Sequence, residues 1–231
     1  MPVESVRNVS VEDGWEPSVE QSETLEITFH SPEADSAVAG SSHAFAITPL
    51  YNDYPFSDPI KYKGEYHYKS QPTFGSSSTN NGQFEIRPQS GLIILETSGD
   101  RPSPSKIISA LSETINQNLK IEREFVPGRE QTWEFLSRME EVGEIGEIEV
   151  IPPFGGVTKI DLRGSEVRQS SGVTLDEAIG NYPIEYAKVQ LAYNSDPFTV
   201  EYSSGQLVIE SSDPDDKEYV YQIFETSMME D

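Results

Sequence analysis

Two segments of this chain share a strand–turn–strand pattern. Residues 84–98 read FEIRPQSGLIILETS, and residues 198–212, which begin 114 positions later (198 − 84), read FTVEYSSGQLVIESS. Alternating apolar residues precede Ser-Gly in both, and a run of β-branched residues and leucine follows it, which predicts two strands joined by a tight turn. The glycine supplies the positive φ that such a turn needs. A repeat constrains the fold strongly, because both copies must bury the same kind of apolar face.

A helix is predicted after each hairpin and a third strand before it. Ser103-Pro104 and Asp213-Pro214 each place a capping side chain before a proline at the first helical position. Apolar residues then recur every three or four positions, at Ile107, Ile108, Leu111 and Ile115 in the first helix and at Val220, Ile223 and Phe224 in the second. The third strands are predicted at 61–69, followed by a loop at 71–82, and at 184–193. Each unit is therefore predicted to be an antiparallel β-meander closed by a helix, which gives an α+β fold.

Four parts are predicted along the chain. Residues 1–23 are acidic with little periodicity, so partial order at best is expected there. Residues 24–120 form the first unit, residues 121–146 a connecting helix, and residues 147–231 the second unit. Further elements are predicted as strands at Leu25–Phe29, around Phe45 and Ile47, and at 147–151 and 157–162, and as helices at Arg129–Val142 and 174–179.

The net charge of the chain predicts that the protein works in an unusual medium. It carries 40 acidic and 16 basic residues, a formal net charge of −24 over 231 residues, and the acids occur in every segment. A small domain usually carries a charge of roughly 2–8, so self-repulsion is a real destabilising term here. At about 1 M salt the Debye length shrinks to about 3 Å and screens that repulsion. We therefore expect a salt-adapted protein of a haloarchaeal cell or of its virus; the alternatives are an ordinary acidic protein and a DNA mimic.

The amino-acid composition further narrows the class of protein to which this chain can belong. The chain contains 10 Phe, 11 Tyr and 2 Trp, enough aromatic residues for one or two modest cores, and it has no cysteine for disulfides or thiolate sites. No apolar run approaches the ~18 residues of a membrane span, so no membrane contact is expected. The first residues lack the basic and apolar regions of a signal peptide. A cytoplasmic location is expected, with a virion as the alternative.

The two strand–Ser-Gly–strand–helix units resemble the repeat of the TATA-binding-protein family. The stretch YSSGQLVIESS at 202–212 is the most similar part, and the resemblance covers two segments of roughly 30 residues each. It implies a duplicated architecture, TATA-binding-protein-like or helix-grip-like. This chain departs from the family in its longer repeats and in lacking the basic and intercalating residues of a DNA-binding saddle, so the resemblance implies a fold more than an activity.

One basic and aromatic stretch, KYKGEYHYK at 61–69, is a candidate anion or nucleic-acid contact. As a strand it places Lys61, Lys63, His67 and Lys69 on one face and three tyrosines on the other. The alternative is an edge strand whose tyrosines enter the core and whose lysines discourage strand addition. Phosphate contacts weaken steeply with salt, which favours the edge-strand interpretation.

No catalytic, cofactor-binding or metal-binding residue is predicted. Ser103 and Lys106 fit the S-x-x-K pattern of penicillin-binding enzymes, but its partner motifs S-D-N and K-T-G do not occur. Asp213, Asp215 and Asp216 resemble the start of a calcium loop that lacks its later ligands, and helix-start acids explain them better. The three histidines lie in separate segments without ligand spacing.

Apolar residues at loops and at the C-terminus are candidate partner contacts. They are Phe74, Phe154, Met228 and Met229. In molar salt the interaction that persists between proteins is apolar burial, because charge attraction is screened. This favours a protein partner or self-association, unless each residue covers its own core.

Three functions from different classes remain open at this stage. The first is a non-catalytic protein-interaction, structural or assembly protein, cellular or viral. The second is a nucleic-acid-associated module built on the duplicated unit. The third is an enzyme that uses carboxylates or serine.

We expect dialysis from molar KCl into dilute buffer to unfold or loosen the protein, because the repulsion within a chain of net charge −24 is then unscreened. Circular-dichroism melts before and after dialysis test this, with dialysis into fresh molar KCl as the control. A melting curve unchanged in dilute buffer would contradict the salt-adaptation hypothesis.

Overall fold

The computed structural model describes most of the chain and divides it into two compact units. It describes residues 3–12, 15–20, 22–33, 37–70, 78–97, 102–115, 118–122, 125, 127–152, 157–161, 168–169, 178–193, 196–203 and 206–229. Unit 1 consists of Met1–Thr48 and Phe56–Phe125, and unit 2 of Pro49–Pro55 and Val126–Asp231. The described part is an α+β fold of mostly antiparallel strands with three helices, as the sequence predicts.

Unit 1 is an antiparallel sheet with one helix. Its strands are β1 (Val3–Val11), β2 (Leu25–Phe29), β3 (Ala44–Ala46), β4 (Ile60–Ser70), β5 (Ser78–Arg87), β6 (Leu92–Thr97) and β7 (Leu119–Ile121), and its helix is α1 (Pro104–Thr114). The strand order is β1-β6-β5-β4-β2; β3 also pairs with β4, and β7 with β1. The predicted meander is the run β4-β5-β6, which α1 follows.

The core of unit 1 lies between α1 and one face of this sheet. Ile107, Ile108 and Leu111 of α1 are buried, as the helical spacing predicts. They belong to one apolar cluster with the buried strand residues Leu25, Ile27, Tyr62, Tyr66, Phe84, Ile86, Ile93 and Leu95. The period-2 pattern therefore assigns these strand faces correctly.

Sequence analysis missed strand β1 and part of β5. Residues 3–11 pair with β6 and β7, although only partial order was expected there. The strand buries Glu4 and Arg7 as well as Val6, so its apolar period is hidden by polar residues. Ser78–Gly82 also lie in β5 rather than in a loop, because the end of β4 pairs with them and the Tyr66 hydroxyl donates to Asn80 Oδ1 at 2.9 Å.

Unit 2 consists of antiparallel strands with two helices. Its helices are α2 (Arg129–Val142) and α3 (Pro214–Met229), and its strands are β8 (Gly143–Val150), β9 (Thr158–Asp161), β10 (Arg168–Gln169), β11 (Ile184–Tyr193), β12 (Asp196–Ser203) and β13 (Gln206–Glu210). The strand order is β10-β9-β8-β11-β12-β13. Helix α2, predicted as a connection, packs against α3, β8 and β11 within this unit.

Aromatic residues join the helices of unit 2 to its sheet. The Phe135 ring of α2 lies 5.2 Å from the Phe224 ring of α3 and 5.9 Å from the Tyr202 ring of β12. The predicted α3 positions Val220, Ile223 and Phe224 are all buried. The Phe135–Phe224 contact is edge-on and the Phe135–Tyr202 contact is tilted, and aromatic pairs of this kind add to the stabilisation that area burial gives.

The seven residues Pro49–Pro55 are part of unit 2, although the chain on both sides of them belongs to unit 1. The backbone N–H groups of Leu50 and Tyr51 both donate to Gln222 Oε1, at 2.7 and 3.0 Å. The Tyr54 hydroxyl donates to Glu225 Oε2 at 2.8 Å. Polar side chains of α3 thus bind a segment that local sequence patterns leave unassigned.

The two hairpins agree in their faces but not in their register. Ile86 lies opposite Ile93, whereas Val200, which matches Ile86 in sequence, lies opposite Ile209 rather than Leu207. The four-residue turn that ends at Gly91 has the predicted positive φ, 65° at that glycine. The Ser204-Gly205 turn lies outside the described residues. A shift of two residues (209 − 207) keeps each side chain on its predicted face, since the period of a strand is two.

Both helices that follow the hairpins begin at the predicted proline, but their caps differ. Asp213 Oδ1 accepts the backbone N–H of Asp215 at 2.9 Å, which satisfies one free donor at the start of α3. Ser103 has no side-chain cap bond, so the predicted cap of α1 is wrong in this detail. The helix predicted at 174–179 lies almost wholly outside the described residues. Among the helices described, none has the length and apolarity needed to cross a membrane.

Substitution of Gly82 by alanine is expected to lower the free energy of unfolding by about 1–3 kcal/mol, the usual cost of overpacking. A Cβ at Gly82 would overlap the Glu96 carbonyl oxygen and the Tyr66 ring. Urea unfolding at constant high KCl measures the change, with the exposed neighbour Gln83→Ala as the control. Equal stability of the two variants would contradict this close approach.

Candidate interaction site

The basic stretch is strand β4, and its tyrosines point into the core of unit 1. The strand is paired on both sides, with β5 and with β2 and β3, so the edge-strand interpretation is wrong in placing it at the edge of the sheet. Tyr62 and Tyr66 are buried, and Tyr68 packs partly buried against the same cluster. The Tyr62 hydroxyl donates to the Trp15 carbonyl at 3.0 Å, and the two rings meet edge-on at 5.0 Å. The tyrosines are therefore core residues rather than a stacking surface for bases.

Lys61 and Lys63 share a carboxylate with Arg87. Lys61 Nζ lies 3.4 Å and Lys63 Nζ 4.0 Å from Glu85 Oε2, while Arg87 Nη2 lies 2.5 Å from Glu85 Oε1. The Arg87 side chain is 1% exposed and that of Glu85 14%. A charge removed from water in this way needs a partner, and Glu85 provides one for all three cations. We call these four residues the Glu85 cluster.

The other two basic residues have different neighbours. His67 pairs through Nδ1 with the side chain of Asn81. Lys69 is exposed at an open cavity of about 580 Å³, whose lining also includes Glu20, Glu23 and Glu26. An anion at this cavity would meet carboxylates as well as Lys69. The strip of four basic residues is thus one face of one strand, but its members lie in two different charge environments.

The four apolar partner candidates fall in different parts of the chain. Phe74 and Phe154 lie outside the described residues. Met228 is half-buried near the end of α3, where its carbonyl accepts Gln131 Nε2 at 2.8 Å. Met229 is the last residue of α3, and its side chain is outside the described part.

Exposed apolar side chains gather at one end of the unit 2 sheet. Ile151 follows β8 and is 37% exposed, and Val157 precedes β9 and is 55% exposed. These residues adjoin the pair Val150 and Thr158, so they lie at the same end of the hairpin. Ile179, 51% exposed, lies in the segment that leads into β11, four residues before Pro183, whose carbonyl accepts the Ile151 N–H at 2.9 Å. We call Ile151, Val157 and Ile179 the apolar end.

None of the three residues of the apolar end was predicted as a partner contact from the sequence. Sequence analysis singled out the turn that contains Phe154, which Ile151 and Val157 flank, but it did not include these two residues or Ile179. Two of the three follow or precede a strand whose apolar residues are buried, so the local pattern does not distinguish them from core positions. Only the pairing of β8 with β9 shows that Ile151 and Val157 share an end of the sheet, and the pairing of Ile184 with Val150 shows that the segment containing Ile179 enters β11 at that end.

The face of the unit 2 sheet that points away from the buried side chains carries acids. Lys188 lies opposite both Glu201 and Glu147, and Tyr186 lies opposite Glu149. Lys188 Nζ pairs with Glu201 Oε1 at 2.5 Å. Burial raises the pKa of Tyr186 to about 12, and the nearby Glu201 adds to the rise. The described side chains here are thus three carboxylates around one lysine, which does not suit a phosphate backbone.

Substitution of Glu85 by glutamine is expected to lower the free energy of unfolding by about 3 kcal/mol, because it removes the Glu85 carboxylate from beside Arg87 and Lys61 in a poorly solvated place. The matched control is Glu201→Gln, which opens a pair with Lys188 whose side chains are 31% and 28% exposed. Its loss should stay below about 1 kcal/mol. Urea unfolding at constant KCl compares them, and equal losses would contradict a stabilising role for the Glu85 cluster.

Comparison with protein-family models and with curated proteins finds no match for this sequence. The resemblance of the two units to the TATA-binding-protein repeat therefore stays a prediction. The shared order of three strands and a helix is compatible with it, while the two-residue difference in hairpin register is a departure from a strict repeat.

Proposed function

We propose that this chain is a non-catalytic protein-interaction or structural protein, an assembly component that works in concentrated salt in a halophilic archaeal cell or on a virus of such a cell. The apolar end of unit 2 is the observation that carries this proposal. Its three large aliphatic side chains are between 37% and 55% exposed. Exposed apolar groups gathered in one place are typical of surfaces that bind other proteins.

The net charge of the chain is the reason that apolar contacts are important for its binding. At a net charge of −24, a partner attracted by charge alone would dissociate in the salt that the fold needs. Apolar burial does not depend on ion pairing and persists in that medium. Cytoplasm and virion are both compatible with such a component.

A second candidate function is a nucleic-acid-associated module with a TATA-binding-protein-like duplicated fold. It is favoured by the exposure of Lys63, whose side chain is 42% exposed, and of Lys69 on the same face of β4. Retention of labelled DNA or RNA in molar KCl, lost on Lys61/Lys63/Lys69→Ala, would support it. The Glu85 cluster and the acidic face of unit 2 make the first candidate the better supported of the two.

We expect the wild-type chain to form complexes heavier than one chain at about 2 M KCl, alone or with the lysate of a halophilic archaeon. The triple variant Ile151→Ser, Val157→Ser, Ile179→Ser should lose the complexes that depend on the apolar end. Light scattering coupled to size-exclusion chromatography measures the masses. The matched control, Ile151→Val, Val157→Ile, Ile179→Val, keeps the apolar character and should keep the complexes.

Two results would contradict the proposal. One is a wild-type chain that stays monomeric and captures nothing at high salt. The other is a serine variant that is folded by circular dichroism and forms the same complexes as wild type.

A further inference from the structure

The outer edge of unit 1 beside β4 is formed by two strands in line, and only one of them is covered. Both β2 and β3 pair with the same side of β4, at its residues 64–68 and 60–62. The outer side of β3 is occupied, since Ala37 bridges to Phe45 and the Val38 N–H donates to the Ala44 carbonyl at 3.3 Å. Strand β2 has no such neighbour within the described part of the chain.

The hydrogen bonds to β4 show which backbone groups of β2 point outward. The Lys69 N–H donates to the Thr24 carbonyl, and the His30 N–H to the Lys63 carbonyl, at 2.8 and 2.9 Å. Bonded positions alternate along an antiparallel pair, so residues 24, 26, 28 and 30 face β4, and Leu25, Ile27 and Phe29 face outward.

Most of these outward groups are open. The Leu25 N–H is bonded to Ser22 Oγ at 3.2 Å. The Leu25 carbonyl, and the N–H and carbonyl groups of Ile27 and Phe29, have no partner among the described residues. Unpaired groups in this alternation are a template for another strand.

We propose that β2 is a self-association edge, on which β2 of a second copy of this chain adds antiparallel about a two-fold axis at Ile27. This rests on the proposed assembly function and names a surface and a partner for it. In that register Ile27 exchanges two hydrogen bonds with Ile27 of the second copy. Each Phe29 N–H donates to the Leu25 carbonyl across the axis, so both open N–H groups of one edge find a carbonyl on the other.

The side chains of β2 suit the same register. Glu26 and Thr28 are exposed on the face opposite the core, and the two-fold axis places Glu26 opposite Thr28 of the second copy. Two glutamates directly opposite would repel, and this register avoids that arrangement. Leu25 and Ile27, 3% and 8% exposed, continue the buried face of the sheet from one copy to the next.

The acids around the edge make this association depend on salt. Glu20 and Glu23 line the same open cavity as β2, so two copies bring like charges together. Molar salt screens this repulsion. Pairing should therefore strengthen as KCl rises, which is the opposite of what an ion-paired interface does. A five-residue edge buries less than the ~1,200 Å² of stable interfaces, so the dimer is weak and depends on concentration.

Sedimentation equilibrium over a range of protein and KCl concentrations tests the proposal. The wild type should dimerise, and its dissociation constant should fall as KCl rises. Ile27→Pro removes the outward N–H while leaving the β4 hydrogen bonds, and Ile27→Ala is its matched control, which keeps the N–H. We expect Ile27→Pro to weaken dimerisation about tenfold or more relative to Ile27→Ala, because the central pair of bonds is lost.

A second pair of variants tests the register without changing a buried residue. At the lowest KCl concentration at which the wild type dimerises, where charges are least screened, Thr28→Glu places glutamate opposite Glu26 and should weaken the dimer. Adding Glu26→Lys should restore it by pairing lysine with the new glutamate. Circular dichroism confirms the fold of each variant. A wild-type monomer at every salt concentration, equal dimerisation of the proline and alanine variants, or no effect of Thr28→Glu would each overturn the proposal.

The apolar-end serine variant separates this inference from the function it rests on. If this variant still dimerises through β2 but loses its heavier complexes, both the β2 edge and the assembly function hold. If Ile27→Pro and Thr28→Glu leave association unchanged while the serine variant abolishes it, the β2 edge is wrong and the assembly function stands. If neither the β2 edge nor the apolar end supports any association, both the inference and the assembly function fail.

Discussion

The apolar layer between each sheet and its helices has to hold the fold against the mutual repulsion of a net charge of −24. In unit 1 this layer joins Ile107 and Leu111 to the sheet, and in unit 2 Phe135 meets Phe224 and Tyr202. Apolar burial does not require mobile ions, whereas the opposing repulsion depends on them directly. The balance between the two is therefore set by the medium, and the same medium decides which contacts with other molecules persist.

Basic residues are scarce in this chain, and the structure holds several of them beside carboxylates. Glu85 is shared by Lys61, Lys63 and Arg87, and Lys188 is paired with Glu201. Two of the lysines that suggest an anion site in the sequence, Lys61 and Lys63, therefore lie beside a carboxylate of the neighbouring strand. A linear pattern tells which face of a strand a lysine occupies, but its partner lies on a neighbouring strand that the pattern does not contain.

The surfaces proposed for association follow from what the sheets leave uncovered. Strand β3 is covered by Ala37 and Val38, while the outward donors and acceptors of Ile27 and Phe29 in β2 meet no partner among the residues that the structure describes. Two residues of the apolar end, Ile151 and Val157, lie just beyond strand ends, and Ile179 lies in the segment that leads into β11. Both surfaces use interactions that molar salt leaves intact, namely backbone hydrogen bonds and apolar contact.

The sequence by itself determined the local elements: β11 and α2 occur at their predicted bounds, Gly91 has its predicted positive φ, and the faces of both hairpins are as the period of two requires. Tertiary structure alone decided the pairing of β1 with β6, the two-residue difference between the hairpins, the place of Pro49–Pro55 on α3, and the sharing of Glu85. The physical reason is the separation along the chain over which each kind of interaction acts. A period or a proline acts within a few residues along the chain, whereas pairing, register and charge partners depend on residues that only folding brings together.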